Sequence, residues 1–279
     1  MFWKKKNVAR GNNTVIEVRV ASSKIVVDNL RKAYGSKEKQ TTAIDNVSIE
    51  ILDNEFVSIV GPSGCGKSTL LRILAGLDEA TGGTATVDDT LIDRPGADRG
   101  MVFQSYTLFP WLTVEENIQF GLKIKGIPKK QANEIVDRYL DIIKLKPFRK
   151  SYPKELSGGM KQRVAIARAL ANSPKVLLMD EPFGALDSQT KSEMQLLMRQ
   201  IWQVEKPTVV FITHDIEEAV FLSTRIYVMS GRPSGIKANI PIYLPYRRSI
   251  SLKETMEFMG YRHKLTALLQ EKEESIGLE

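Results

Sequence analysis

Between the apolar run Phe56 to Val60 and a helical period lies GPSGCGKST, Gly61 to Thr69. The spacing fits G-x-x-x-x-G-K-[ST], and a strand before and a helix after are the context that pattern needs. Its chemistry is that of a phosphate cradle. Around Pro62, which has no N–H of its own, the backbone N–H groups of Gly61, Ser63, Gly64, Cys65 and Gly66 are expected to turn inward, and the helix that follows favours an anion at its N-terminus. Lys67 is then expected to reach the β and γ phosphates of a nucleotide and Ser68 to ligate Mg2+, with Thr69 closing the loop. Because Cys65 stands among these residues, modification of its thiol is expected to block nucleotide binding.

VLLMDEP, Val176 to Pro182, places two carboxylates at the end of a buried strand, where α/β sheets bind ligands. Asp180 is the candidate for holding Mg2+, directly or through water, and Glu181 for orienting or deprotonating an attacking water. Gln104 follows the run Met101 to Phe103, where its amide is in a position to touch both Mg2+ and the water. His214 follows Val209 to Thr213 and brings an imidazole toward the γ-phosphate. Each of the last two also fits a satisfied polar residue at a strand end. Tyr34 offers an aromatic face for adenine, with a partly exposed strand-end tyrosine as the alternative.

A second glycine pair stands in LSGGMKQRVAIARAL, Leu156 to Leu170. Ser157, Gly158 and Gly159 precede the helical period Met160 to Ala171, which ends before Asn172-Ser173-Pro174. Backbone dipoles and one hydroxyl make this an anion site too. It belongs to a different part of the chain from the cradle, so a γ-phosphate held at Gly61 to Thr69 needs a second molecule, in a symmetric pair, to supply it.

Positioning these residues requires a sheet. Four apolar runs suit buried parallel strands, Phe56 to Val60, Met101 to Phe103, Val176 to Met179 and Val209 to Ile212, with Ile226 to Met229 as a fifth. Helical periods alternate with them at Thr69 to Leu77, Ala132 to Leu145, Met160 to Ala171, Ser192 to Val204 and Ile216 to Leu222, which implies an α/β sheet covered by helices. Ser105 to Ala171 has helical patterns and no convincing strand, so it reads as an inserted helical lobe. Thr113 with Glu116, and Asp215 with Glu218, have the spacing of reciprocal helix caps. Residues 1–23 read as a loose basic leader. After Ser230, a Gly- and Pro-rich stretch and an amphipathic period from Lys253 to Gln270 read as a trailing hairpin and helix.

Composition narrows the classes. With 42% hydrophobic and 26% charged residues in 279, the chain can bury a substantial core. No stretch approaches the roughly 20 apolar residues of a membrane span. No apolar signal core follows Met1, and one cysteine forms no internal disulfide, so a reducing, cytoplasmic setting is expected. The net charge is +7, but apart from Lys4 to Lys6 the basic residues are spread along the chain, and no nucleic-acid partner is expected.

Taken in order, GPSGCGKST, Gln104, LSGGM, VLLMDEP, ALD at Ala185 to Asp187, and His214 resemble the motif set of the nucleotide-binding subunit of ATP-binding cassette (ABC) transporters, over roughly Lys24 to Ser230. The resemblance implies an α/β fold with a P-loop NTPase (RecA-like) core, an N-terminal antiparallel β subdomain and an inserted helical subdomain, placed here at about 105–171 within a 24–240 cassette, with 241–279 as a tail. It implies ATP and Mg2+ as ligands. It implies a homodimer, or a pair with a related ATPase subunit, closing head to tail, so that LSGGM of one chain completes the ATP site of the other and Asp187 lies between the two sites. Two transmembrane permease subunits, an extracytoplasmic solute-binding protein acting indirectly, and a peripheral place on the cytoplasmic face of the plasma membrane follow from it. RPGADRGMVFQ and LFPWLTV resemble the cassettes of nitrate, sulfonate, bicarbonate and taurine importers. There Tyr106 to Trp111 would line the groove for a permease helix, with packing inside the helical lobe as the other role for Phe109 and Trp111. A soluble ABC-type ATPase with a non-transport partner is the rival; tandem cassettes or a long coiled-coil insertion would be expected of it. A P-loop kinase or GTPase leaves LSGGM unexplained.

Overall fold

The computed structural model describes residues 22–35 and 41–270. The leader expected over 1–23 lies outside them except for Ser22 and Ser23, as do the last nine residues of the tail. In chain order the elements are β1 (Ser23–Tyr34), β2 (Thr41–Leu52), β3 (Phe56–Val60), α1 (Lys67–Leu74), β4 (Gly82–Val87), β5 (Thr90–Leu91), β6 (Arg99–Val102), α2 (Val114–Ile124), α3 (Lys129–Ile142), α4 (Gly158–Ala171), β7 (Val176–Asp180), α5 (Ser188–Glu205), β8 (Thr208–Ile212), α6 (Ile216–Leu222), β9 (Arg225–Met229), β10 (Ile236–Pro241) and α7 (Met256–Gln270).

One sheet has the order β10-β9-β3-β8-β7-β6, parallel except for β10, and the other, β2-β1-β4-β5, is antiparallel. The parallel strands are mostly apolar because both faces are covered, with Ser58 inside β3 and Arg99, Asp180, Thr208 and Arg225 at strand ends. Their side chains alternate between two cores as the pleat demands. Phe56 and Val60, Leu177 and Met179, and Val209 and Phe211 enter the core shared with α4, α5 and α6. Val57 and Ile59, Val176 and Leu178, and Val210 and Ile212 enter the core beneath α1 and the antiparallel sheet. Between β6 and β7 the described chain is helical, with α2, α3, α4 and short 3-10 turns at Lys146–Phe148 and Pro153–Glu155.

Observed helices start up to four residues before the apolar periods, and the caps explain why. Asp187 accepts from the N–H groups of Gln189 and Thr190, so α5 begins at Ser188 instead of Ser192. Ser157 accepts from Met160 N–H, so α4 begins at Gly158. Thr113 and Glu116 form the expected reciprocal cap of α2. Thr113→Ala is expected to lower stability by about 1 kcal/mol, readable as a shift in the urea midpoint.

The expected Asp215 and Glu218 pair is corrected. Asp215 does accept from Glu217 and Glu218 N–H, but its own N–H donates to Thr213 Oγ1 at 3.0 Å. Thr213 Oγ1 in turn donates to Glu218 Oε2 at 2.6 Å, so a hydroxyl stands between cap and carboxylate. The C-terminal helix is also shorter than expected. Ile250–Glu254 is a 3-10 turn, Thr255 is extended, and its Oγ1 accepts from Phe258 N–H, which starts α7 at Met256. Arg248, buried, caps the end of α6 by donating to the carbonyls of Val220, Phe221 and Ser223. Burial pushes this guanidinium down to about 9, and Arg199 beside it adds to the effect. The tail thereby packs on α6, the helix that follows His214 directly.

Candidate functional site

Parallel strands release their C-terminal ends on one edge of the sheet. Gly61 follows β3, Thr213 and His214 follow β8, Glu181 follows β7, and Phe103 and Gln104 follow β6. Four of the expected chemical groups therefore meet at one edge because of strand direction alone.

The cradle is built from the β3 end. Lys67 is buried, and its Nζ donates to the carbonyls of Gly61 and Pro62, each at 2.9 Å. Gly66 caps α1 with φ of 96°. A Cβ there would lie 2.9 Å from the Ala43 carbonyl, so both the left-handed backbone and the space require glycine. Ser63, Gly64 and Ser68 face solvent, and Thr69 is half-buried. Ser68 Oγ donates to Asp180 Oδ1 at 3.0 Å, which joins cradle and β7. Burial pushes the Asp180 carboxyl above the usual aspartate range; the Glu181 charge adds to this, while Ser68, Lys67 and Arg72 oppose it. A partly desolvated carboxylate against a hydroxyl is an oxygen donor set suited to a hard divalent cation.

Glu181 holds φ of 42°, uncommon for a residue with a side chain, and its N–H donates to the Ile212 carbonyl at 3.0 Å. Its Oε2 lies 3.2 Å from His214 Nδ1. A carboxylate only accepts, so Nδ1 carries the proton in this contact. Gln104 Nε2 and Glu181 Oε2 both border Gly184, each 3.8 Å from where its Cβ would stand. Tyr34 is half-exposed beside the end of the cradle, its hydroxyl 3.4 Å from Thr69 Oγ1. Its hydroxyl donates to Asp78 at 2.7 Å, and Lys32 Nζ lies 4.8 Å from the ring centroid.

Cys65 requires a correction. Its side chain is 1% exposed and belongs to the core beneath the sheet, with Sγ facing Gly61 instead of the cradle mouth. Beneath the loop its Sγ accepts from Lys67 Nζ at 3.9 Å, and its N–H donates to the Pro62 carbonyl at 3.3 Å. Alkylation of the native protein by a thiol reagent is therefore expected to be slow and equal with and without ATP. Mass spectrometry of timed quenches measures it.

Ser157, Gly158 and Gly159 lie elsewhere. Among the described residues, no hydrogen bond or ion pair joins them to Gly61–Thr69. The glycines are spaces for neighbours. A Cβ on Gly158 would lie 2.9 Å from Tyr106 Oη, and one on Gly159 would lie 2.5 Å from Thr190 Cγ2. Ser157 is exposed. Asp187 is spent on capping α5, and the Thr190 backbone and hydroxyl bonds hold its carboxyl below the usual range. The first turn of α5 thus packs on the chain's own LSGG segment.

A groove of about 490 Å³ opens beside β6, lined by Met101, Phe103, Phe109, Phe120, Ile124 and Arg168 among others. Trp111 at its margin is 69% exposed, and Phe109 stacks between it and Phe120 at 5.6 and 4.4 Å. Core packing is therefore not the fate of Trp111. Asn117, fully buried, holds this segment by bonding both N–H and carbonyl of Phe109 and the carbonyls of Leu112 and Thr113. Its signal in the sequence is a polar side chain on the stripe Val114, Ile118, Leu122. Tyr106 and Thr190, which fit against the glycines, have no such signal. Among the described residues, no helix is long and apolar enough to cross a membrane.

The family model described as ABC transporter matches residues 44–184, from within β2 to just past Glu181. A nitrate import ATP-binding protein, NrtD of Synechocystis sp., is 49% identical over 88% of this chain and 95% of its own. The chain belongs to the ABC transporter family. An aliphatic sulfonates import ATP-binding protein, SsuB of Bacillus cereus, is 45% identical over 86% of this chain and 94% of its own. In structure, this ABC transporter chain is similar to the ATP-binding cassette MJ0796, solved as a dimer in a post-hydrolysis state bound to ADP and Pi. The TM-score is 0.69 at 35% identity, covering 79% of this chain and all of that one. The ABC chain is accordingly an ATP-binding protein and an ATP hydrolase.

Proposed function

We propose that this chain is the ATPase subunit of an importer for a small anion or sulfonate, peripheral on the cytoplasmic face of the membrane, and working as a head-to-tail pair on two permease subunits. The observation that carries the paired site is the exposed Ser157 at the start of α4, an anion site without a bond to its own cradle. The nitrate and sulfonate names of the two relatives support the substrate class.

In this reading Gly61 to Ser68 and Thr69 hold the phosphates of ATP, Lys67 neutralises them, and Tyr34 stacks on the adenine. Ser68, Asp180 and Gln104 would hold Mg2+, which when bound neutralises phosphate charge. Glu181 Oε2 takes a proton from the attacking water, and His214 Nδ1, 3.2 Å away, keeps that carboxylate aimed. Ser157, Gly158 and Gly159 of one copy face the γ-phosphate on the other, and Asp187 sits where the two copies meet. The groove with Phe109 and the exposed Trp111 receives a permease helix.

Isolation of tagged Glu181→Gln protein from detergent-solubilised host membranes, with ATP present, tests the reading. A co-purifying polytopic permease is the expected result. Ribosomal, DNA-bound or cluster-assembly partners would move the chain to the soluble ATPase class.

A further inference from the structure

The turn between β9 and β10 reaches the cradle from outside the cradle's own motif. Arg232 in this turn is exposed, and its Nε donates to the Gly64 carbonyl at 2.6 Å. The turn itself is anchored. Ser234 is fully buried, its Oγ donates to the Ala43 carbonyl at 2.7 Å, and its own carbonyl accepts from Asp45 N–H at 2.9 Å. Ser230 and Gly235 close the base of the turn, Ser230 N–H donating to the Gly235 carbonyl at 3.0 Å and Gly235 N–H to Ser230 Oγ at 2.9 Å.

The peptide between Gly64 and Cys65 is thereby held from two sides. A trans peptide points its carbonyl and N–H in opposite directions. Arg232 takes the carbonyl, and the Pro62 carbonyl takes the N–H. Gly64 at φ of 73° and Gly66 at 96° flank this peptide, and glycine gives the chain wide rotational freedom there. A contact that fixes this peptide removes motion the loop would otherwise lose on binding its ligand.

We propose that Arg232 is a positioning residue for nucleotide binding, preordering Gly61–Thr69 for a polyphosphate by fixing the Gly64–Cys65 peptide from the β9–β10 turn. The proposal rests on the assignment of that loop as the phosphate cradle. The guanidinium also adds positive charge beside the loop, and variants separate the two effects. Arg232→Gln keeps a donor without charge, Arg232→Lys keeps both, and Arg232→Ala keeps neither. Gly64 is exposed, so water replaces the lost donor and the variants are expected to fold.

Hydrogen–deuterium exchange of the nucleotide-free full chain, with fluorescence titration of ADP, tests the proposal. In Arg232→Ala, exchange across residues 61–69 and the Kd for ADP are each expected to rise about tenfold, the scale of one charge-assisted hydrogen bond. KM for ATP should rise far more than kcat falls, and Tm should stay within about 2 °C of the wild type. Arg232→Lys should recover most of the affinity. Unchanged loop exchange and ADP affinity in Arg232→Ala would overturn the proposal, and so would faster exchange spread through β3 and β9 with a lower Tm. Lys67→Ala is the companion. If it loses ADP while Arg232→Ala does not, the Arg232 role alone fails; if Lys67→Ala binds ADP like the wild type, the cradle assignment fails.

Discussion

Replacing Glu181 by glutamine is expected to slow ATP hydrolysis by about 10²- to 10⁴-fold, the contribution of a general base, with ATP binding intact. Glutamine keeps the shape and the Cβ, so the left-handed backbone at φ of 42° is strained to the same degree in both proteins. It also keeps an oxygen to accept from His214 Nδ1, so the contact at 3.2 Å is available to both. What the substitution removes is the capacity to take a proton from water. A pair closed around ATP then has no route to opening by hydrolysis, and the closed form should accumulate. Wild-type turnover in Glu181→Gln would take Glu181 out of its role.

The second large effect is expected at Ser157→Arg, with hydrolysis lower by about 10²-fold or more and nucleotide affinity of the monomer unchanged. Ser157 is exposed, and among the described residues its side chain bonds only Met160 N–H, as a cap at 3.3 Å. Loss of that cap costs about 1 kcal/mol of stability, which Ser157→Ala reproduces as the control. The bulk of arginine matters only if something closes on this helix start. Under the head-to-tail reading that object is the ATP on the partner's cradle. Titration of a fluorescent nucleotide at low protein concentration separates the two arms, and loss of monomer binding in Ser157→Arg would place Ser157 in the chain's own site.

The parts of the site legible in the sequence are those whose chemistry demands particular residues at short spacing. Lys67 and Ser68 must follow the glycines directly, and Asp180 and Glu181 must end a strand, so a linear pattern carries them. Strand positions were legible for a related reason. Burial on both faces makes the runs at 56–60 and 176–179 apolar but for the buried Ser58. Helix starts were displaced forward at α5 and α4 because Asp187 and Ser157 cap them ahead of the residues that periodicity detects, whereas α7 starts late because Thr255 caps it after the 3-10 turn Ile250–Glu254. The side of the loop that Cys65 faces depends on β9, whose Met229 carbonyl closes the space beside Gly61, and no local pattern states it. Arg232 meets Gly64 across 168 residues of chain, and Thr190 fills the space beside Gly159 from another helix. Such contacts arise only once the sheet has brought the segments together.

The account turns on two copies completing one site, and the most direct measurement is the mass in solution of Glu181→Gln protein, by light scattering, with and without ATP. The prediction is a monomer without nucleotide, a dimer with ATP, and a monomer again in the Glu181→Gln, Ser157→Arg double variant that still binds ATP. A Glu181→Gln protein that binds ATP and stays monomeric, or a double variant that dimerises as well as the single one, would contradict it.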